Sequence, residues 1–194
     1  FFGKNLSKNA AGALATAMAG ISFILAILVF TTQLHGAHPV MVKVLDWIHV
    51  GSFQVDISFV VDPLSTLYVL FITGVGSLIH LYSIGYMHED EGFHRFMSYL
   101  NLFVFFMLLL VLGDNLLLLF VGWEGVGVCS FMLIGFWYKD HANNDAAKKA
   151  FVMNRVGDLG LLLGMALIFI QCGSLRYEDL FINGSGIASL GKYT

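Results

Sequence analysis

The chain has 194 residues, 58% of them hydrophobic and only 12% charged, with a formal net charge of -3. A soluble domain carries about 25% charged residues, so this composition excludes a water-soluble globule and indicates a membrane protein. The charge is dispersed, with no basic run for nucleic acid and no acidic docking tail.

Five stretches are long enough to cross a bilayer, for which about 20 mostly apolar residues suffice. The first runs from about Ala11 to Gln33. After it, in SFQVDISF, apolar Phe53, Val55, Ile57 and Phe59 alternate with Ser52, Gln54, Asp56 and Ser58. That period of two predicts a strand with one buried face, and the HVGSF before it offers a Gly-Ser turn. A surface β-hairpin over about 47–61 is the expectation. The second span, about 62–86, opens on Asp62 and Pro63, and proline suits a first helical turn. The third covers about 96–113, the fourth about 115–138 and the fifth about 146–172. Lipid-facing spans must satisfy their own backbone polar groups, so each is read as a helix. The result is an all-α polytopic membrane protein, a single membrane domain with a short β-hairpin between its first two spans.

Orientation follows from the basic residues. Lys4, Lys8, Arg95, Lys139, Lys148 and Lys149 share one side of the membrane, against Lys43, Arg176 and Lys192 on the other. The positive-inside rule makes the first side cytoplasmic. The GDN turn between spans three and four is so short that those helices must be antiparallel neighbours. The opening FFGKN and closing GSGIASLGKYT read as a segment of a longer chain.

Ionisable residues inside spans are the anomaly. Glu124, in FVGWEGVGVCSF, lies near the bilayer midplane, where an acid costs about 2.5–3.5 kcal/mol on insertion scales. It must face protein or water, and either pair with a cation or take up a proton, the requirements for a proton relay. In span five, Arg155 and Asp158 are three apart, so they share a helix face and can pair. Gly157, Gly160 and Gly164 beside them, and Gly122, Gly125, Gly127 and Ser130 around Glu124, form small-residue faces. Such faces predict close packing of spans four and five with the charges inward. The alternative for the Arg155–Asp158 pair is a register clamp. His80, in span two, is a weaker proton-handling candidate, and a lone histidine near a helix end is more often hydrogen-bonded structure. The aromatic runs read as lipid-facing bulk or interfacial belt. Cys129 and Cys172 have no CxxC spacing and read as small hydrophobes. No GxGxxG, cysteine cluster or P-loop is present, so no metal or redox cofactor is expected in this chain.

Three stretches, LYSIGYMHEDEGFHRFMSYLNLF, LGDNLLLLFVGWEGVGVCSFMLIGFWY and KAFVMNRVGDLGLLLG, resemble the antiporter-like subunit L of bacterial respiratory NADH:quinone oxidoreductase (complex I), counterpart of mitochondrial subunit 5. The resemblance runs from about Asp62 to Leu180. It implies the antiporter-like complex I subunit fold and a proton-translocating, non-redox membrane-arm subunit coupling quinone reduction to pumping. NAD, FMN, iron–sulfur clusters and quinone are then expected elsewhere in the complex, and the partners are other membrane-arm subunits, the lipid bilayer and protons, with no nucleic acid. A bacterial inner (plasma) membrane location follows. In that family the glutamate matched by Glu124 pairs with a lysine on a later broken helix, and the aspartate matched by Asp158 tunes the pair. The segment holds the acid without that lysine. The alternatives are the large subunit of a multisubunit sodium/proton antiporter and, in another class, a structural membrane scaffold.

Overall fold

The computed structural model describes residues 6–36, 38–51 and 53–182; Lys4, Ser52 and Lys192, used above, lie outside them. Among the described residues five α-helices and one hairpin follow in the order α1 (Lys8–Leu34), β1 (Val40–Val50), β2 (Phe53–Val61), α2 (Pro63–Tyr86), α3 (Phe93–Leu112), α4 (Leu116–Ile134) and α5 (His141–Cys172), with a short π-helix at Glu178–Ile182. All five helices are long and apolar enough to cross a membrane, so the chain is an integral membrane protein. Each boundary has a local cause. Ser7, Asn115 and Asp140 accept backbone N–H groups at the starts of α1, α4 and α5. Asp62 and Ser65 form a reciprocal capping box around Pro63. Gly173 ends α5 in the left-handed conformation, φ 73°, its N–H bonded to the carbonyl of Phe169.

Three helices, α1 as well as α3 and α5, begin earlier than the hydrophobic pattern suggests. The 32 residues of α5 extend about 48 Å, well beyond a hydrocarbon core of about 30 Å. The Asp140 cap starts that helix outside the apolar stretch, so polar Asn143, Asn144 and Asp145 are helical too. The third helix likewise starts at Phe93 and not near 96.

The hairpin spans 40–61, longer than expected, with β1 antiparallel to β2. Two register shifts, between Lys43 and Leu45 and between Asp46 and Ile48, leave Val44 and Trp47 as the extra residues. The shifts bring Lys43, Asp46 and His49 opposite Ser58, Asp56 and Gln54, on one polar face. There the Lys43 ammonium lies 2.9 Å from Asp56 and His49 Nε2 lies 2.8 Å from it. Lys43 first, then His49, hold the Asp56 carboxyl below the usual carboxylate range. The simple alternation fails at Ser58, which is buried: its hydroxyl donates to Asp114 Oδ2 at 2.9 Å.

That contact belongs to a knot at one end of the bundle. Asp114 N–H donates to the Ser58 carbonyl, Leu116 N–H to that of Leu175, and Tyr177 N–H to that of Asp114. Asn115 Nδ2 donates to the carbonyl of Asp56 at 3.0 Å. Arg176 Nε approaches Asp114 Oδ2 at 3.5 Å, so the buried carboxylate has a cation as well as a hydroxyl. The hairpin, the α3–α4 turn and the segment after α5 are thereby tied together.

At the other end Met87, Phe93, Met97 and Phe136 form a buried cluster. Lys8 reaches over it to the carbonyls of His88 (2.9 Å) and Asp90 (3.0 Å). Trp137 Nε1 donates to Asp90 Oδ2 at 2.8 Å. Between the ends, α1 lies along α2, α3 along α4, and α4 along α5. A Cβ added to Gly122 would come within 2.6 Å of the Leu110 backbone, and Phe106 fills the space beside Gly125. These two glycines therefore let α3 approach α4, not α5. Gly157, Gly160 and Gly164 meet no neighbouring atom within 4 Å among the described residues, so the expected glycine-to-glycine packing of spans four and five is not what joins them.

Candidate functional site

Polar contacts join α4 to α5 at the middle of the bundle. Arg155 Nη1 on α5 donates to Glu124 Oε2 on α4 in a close ion pair. The same nitrogen lies 3.6 Å from Asp158 Oδ2, one helical turn along α5. Trp123 Nε1, on α4 beside Glu124, donates to Asp158 Oδ1 at 2.9 Å. The Arg155 guanidinium also stands 4.5 Å from the centroid of the Phe151 ring, a cation–π contact. One cation thus bridges two carboxylates from two helices, and an indole holds the second carboxylate from the opposite side.

Exposure separates the two acids. Asp158 is 6% exposed and ligated by both Arg155 and Trp123. The Glu124 side chain keeps 21% of its surface and the Arg155 side chain 39%. Both line a cavity of about 170 Å³ with Ser130, Asn154 and Gly127. At about 30 Å³ per water in the liquid, this space admits a short chain of waters. Asp158 lines the same cavity, so the two acids differ in exposure and in partners, Asp158 being the more enclosed.

Charge counting defines what the arrangement can do. Arginine stays protonated under all ordinary conditions. One fixed positive charge against two carboxylates leaves one negative charge, which a proton or a second cation can neutralise.

The structure brings together Glu124, Arg155 and Asp158, and gives Glu124 a cation that no residue within one turn of it in sequence supplies. It leaves His80 apart. That ring is on α2, with Nδ1 2.7 Å from the carbonyl oxygen of Gly76, and lines a different cavity. Two contributors are invisible in the sequence pattern. The hydropathy pattern does not single out Trp123, yet its N–H binds Asp158. Phe151 looks like bulk until its ring is seen against Arg155. For Trp123 the available signal was adjacency to Glu124 in a helix where an indole N–H needs a partner.

Comparison with known proteins adds the context. Residues 47–97 match the family described as NADH-ubiquinone oxidoreductase (complex I), chain 5 N-terminus. Residues 113–192 match the family described as NADH:quinone oxidoreductase/Mrp antiporter, TM. The chain is 46% identical over 189 residues to NADH-quinone oxidoreductase subunit L of Rickettsia bellii, covering 97% of this chain and 29% of that protein. It is 58% identical over 139 residues to the protein of the same name from Mycobacterium tuberculosis, covering 72% of this chain and 22% of that one. Among solved structures, the Mrp complex from Dietzia sp. DQ12-45-1b aligns with a TM-score of 0.66 at 26% identity, over 91% of this chain and 21% of that chain. The matched region is thus less than a third of the length of these relatives.

Proposed function

We propose, from the premise that the chain belongs to the NADH-quinone oxidoreductase subunit L family, that it forms a proton-handling part of a membrane-arm subunit of proton-translocating NADH:quinone oxidoreductase. The observation that carries this reading is Arg155 shared between Glu124 and Asp158, with Glu124 open to a polar cavity. Arg155 and Asp158 set the field, and Glu124 is the group that takes up and releases the proton as nearby charge changes. His80 stays outside this cluster. This segment is read as a non-redox part of the subunit, its two cysteines lying in separate apolar stretches. NAD, FMN, iron–sulfur clusters and quinone are assigned to other subunits, with which this one shares a bacterial plasma membrane. The likeness to an Mrp complex supports a second reading with the same chemistry, the large subunit of a sodium/proton antiporter.

The test is proton pumping by the intact parent complex in sealed vesicles, wild type against Glu124→Gln, with NADH oxidation followed in parallel. Glutamine keeps the hydrogen-bonding shape and removes the exchangeable charge. Pumping is expected to fall severalfold while the complex still assembles. Normal pumping with normal oxidation would reduce Glu124 to a helix clamp and restore the scaffold reading.

A further inference from the structure

Asp158 stands one turn from Arg155 on the same helix, so chain proximity alone makes it the natural partner of that guanidinium. The structure has the opposite allocation. Arg155 Nη1 donates to Glu124 Oε2 on the neighbouring helix, while Asp158 Oδ2 lies 3.6 Å from the same nitrogen, outside hydrogen-bond range. Because both carboxylates approach one nitrogen, they compete for it. Asp158 is also the more enclosed of the two, and a buried carboxylate without hydrogen bonds is costly. It can forgo the cation only if another donor satisfies it.

That donor is the Trp123 indole, whose Nε1–H meets Asp158 Oδ1 at 2.9 Å. Among the described residues no other side chain donates a hydrogen bond to Asp158. An indole N–H is a donor only and carries no net charge, so it satisfies Asp158 without changing the charge count of the cluster. Trp123 directly precedes Glu124 on α4, so the group that holds one carboxylate travels with the other carboxylate. Without the indole N–H, the donor left to Asp158 is the guanidinium already at 3.6 Å, and what Asp158 gains from Arg155, Glu124 loses.

We infer that Trp123 is a positioning residue of the proton-handling site: its indole N–H satisfies Asp158 and so leaves Arg155 to Glu124. The inference rests on the reading of Glu124 as the proton-exchanging group. The weight falls on the nitrogen and not on the ring, since the N–H decides which carboxylate holds the cation.

The experiment measures protons pumped per NADH oxidised in sealed vesicles holding the parent complex, for Trp123→Phe, Trp123→Gln and Glu124→Gln against wild type. Phenylalanine keeps an aromatic ring and lacks the donor. Glutamine loses the ring, but its amide nitrogen is as many bonds from Cα as Nε1 and still donates. The ratio does not depend on how much complex each membrane holds. Trp123→Phe is expected to lower it by about threefold or more, the loss of one hydrogen bond between membrane helices, and Trp123→Gln to retain most of it. A normal ratio with Trp123→Phe, an equal loss with both Trp123 variants, or failure of Trp123→Phe to assemble would each overturn the inference and make the indole a packing group. A normal ratio with Glu124→Gln would strike the reading of Glu124 itself, whereas a lowered one beside a normal Trp123→Phe ratio would remove only the role of Trp123.

Discussion

Replacing Trp123 by phenylalanine keeps the ring packed against α5 and removes one N–H. In the structure that N–H meets Asp158 Oδ1 at 2.9 Å, and Asp158 is only 6% exposed. A hydrogen bond to a charged group contributes about 1.5–3 kcal/mol when both partners are buried. Between membrane helices such contacts contribute less, about 1–2 kcal/mol in model peptides, because the unfolded reference state also finds partners. That corresponds to about 5- to 30-fold in an equilibrium constant. The assay is a double-mutant cycle on the purified full-length subunit, with Trp123→Phe, Asp158→Ala and the double variant unfolded in sodium dodecyl sulfate and followed by far-ultraviolet circular dichroism. The coupling energy should fall in the stated range, because Phe costs nothing further once the carboxylate has gone. A coupling within about 0.3 kcal/mol of zero would show that the indole does not hold Asp158, and that the polar tie between α4 and α5 rests on Arg155.

Other perturbations separate packing from charge. Gly122→Ala would press a methyl to 2.6 Å from the Leu110 backbone, which cannot rotate away. It should destabilise the α3–α4 pair by about 1–3 kcal/mol, seen as a lower unfolding midpoint in the same titration. The Trp137 indole and then the Gly92 N–H hold the Asp90 carboxyl below the usual carboxylate range. Its stabilising effect is therefore present above the unfolded value of about 3.9 and is lost as pH falls through the lower folded value. Hydrogen exchange over residues 87–93, corrected for intrinsic rates, should stay protected to below pH 4, and Trp137→Phe should move the loss of protection upward.

How far the sequence carries depends on what a residue must contact. Span count, the hairpin and the place of Glu124 near the middle of its helix follow from hydropathy and period, which each segment encodes for itself. Partners across helices are not encoded in that way. The glycines around Glu124 and those on α5 have the same small-residue signature, yet Gly122 and Gly125 serve α3 while Gly157 and Gly160 meet nothing among the described residues. The polar face of β1 is likewise hidden, because Lys43, Asp46 and His49 recur every three residues and only two bulges turn that spacing into one side of a strand. Ser58 fits the outward half of the alternation and is buried all the same, because Asp114 needs its hydroxyl. Arg155 and Asp158 are legible as a pair from spacing alone, whereas the bond from Arg155 to Glu124 depends on how α4 and α5 are rotated.

The knot of Ser58, Asp114, Asn115 and Arg176 fixes one end of α4 against the hairpin and the tail of α5. Glu124 stands nine residues along α4 from Asn115, about 13 Å up the axis. With that end held, α4 is a lever, and a tilt of about 5° carries the Glu124 carboxylate about 1 Å sideways. A hydrogen bond weakens sharply over such a distance. The lashing that looks like plain reinforcement at the surface therefore matters at mid-depth as well, since a swing of about 5° about it would be enough to part an ion pair.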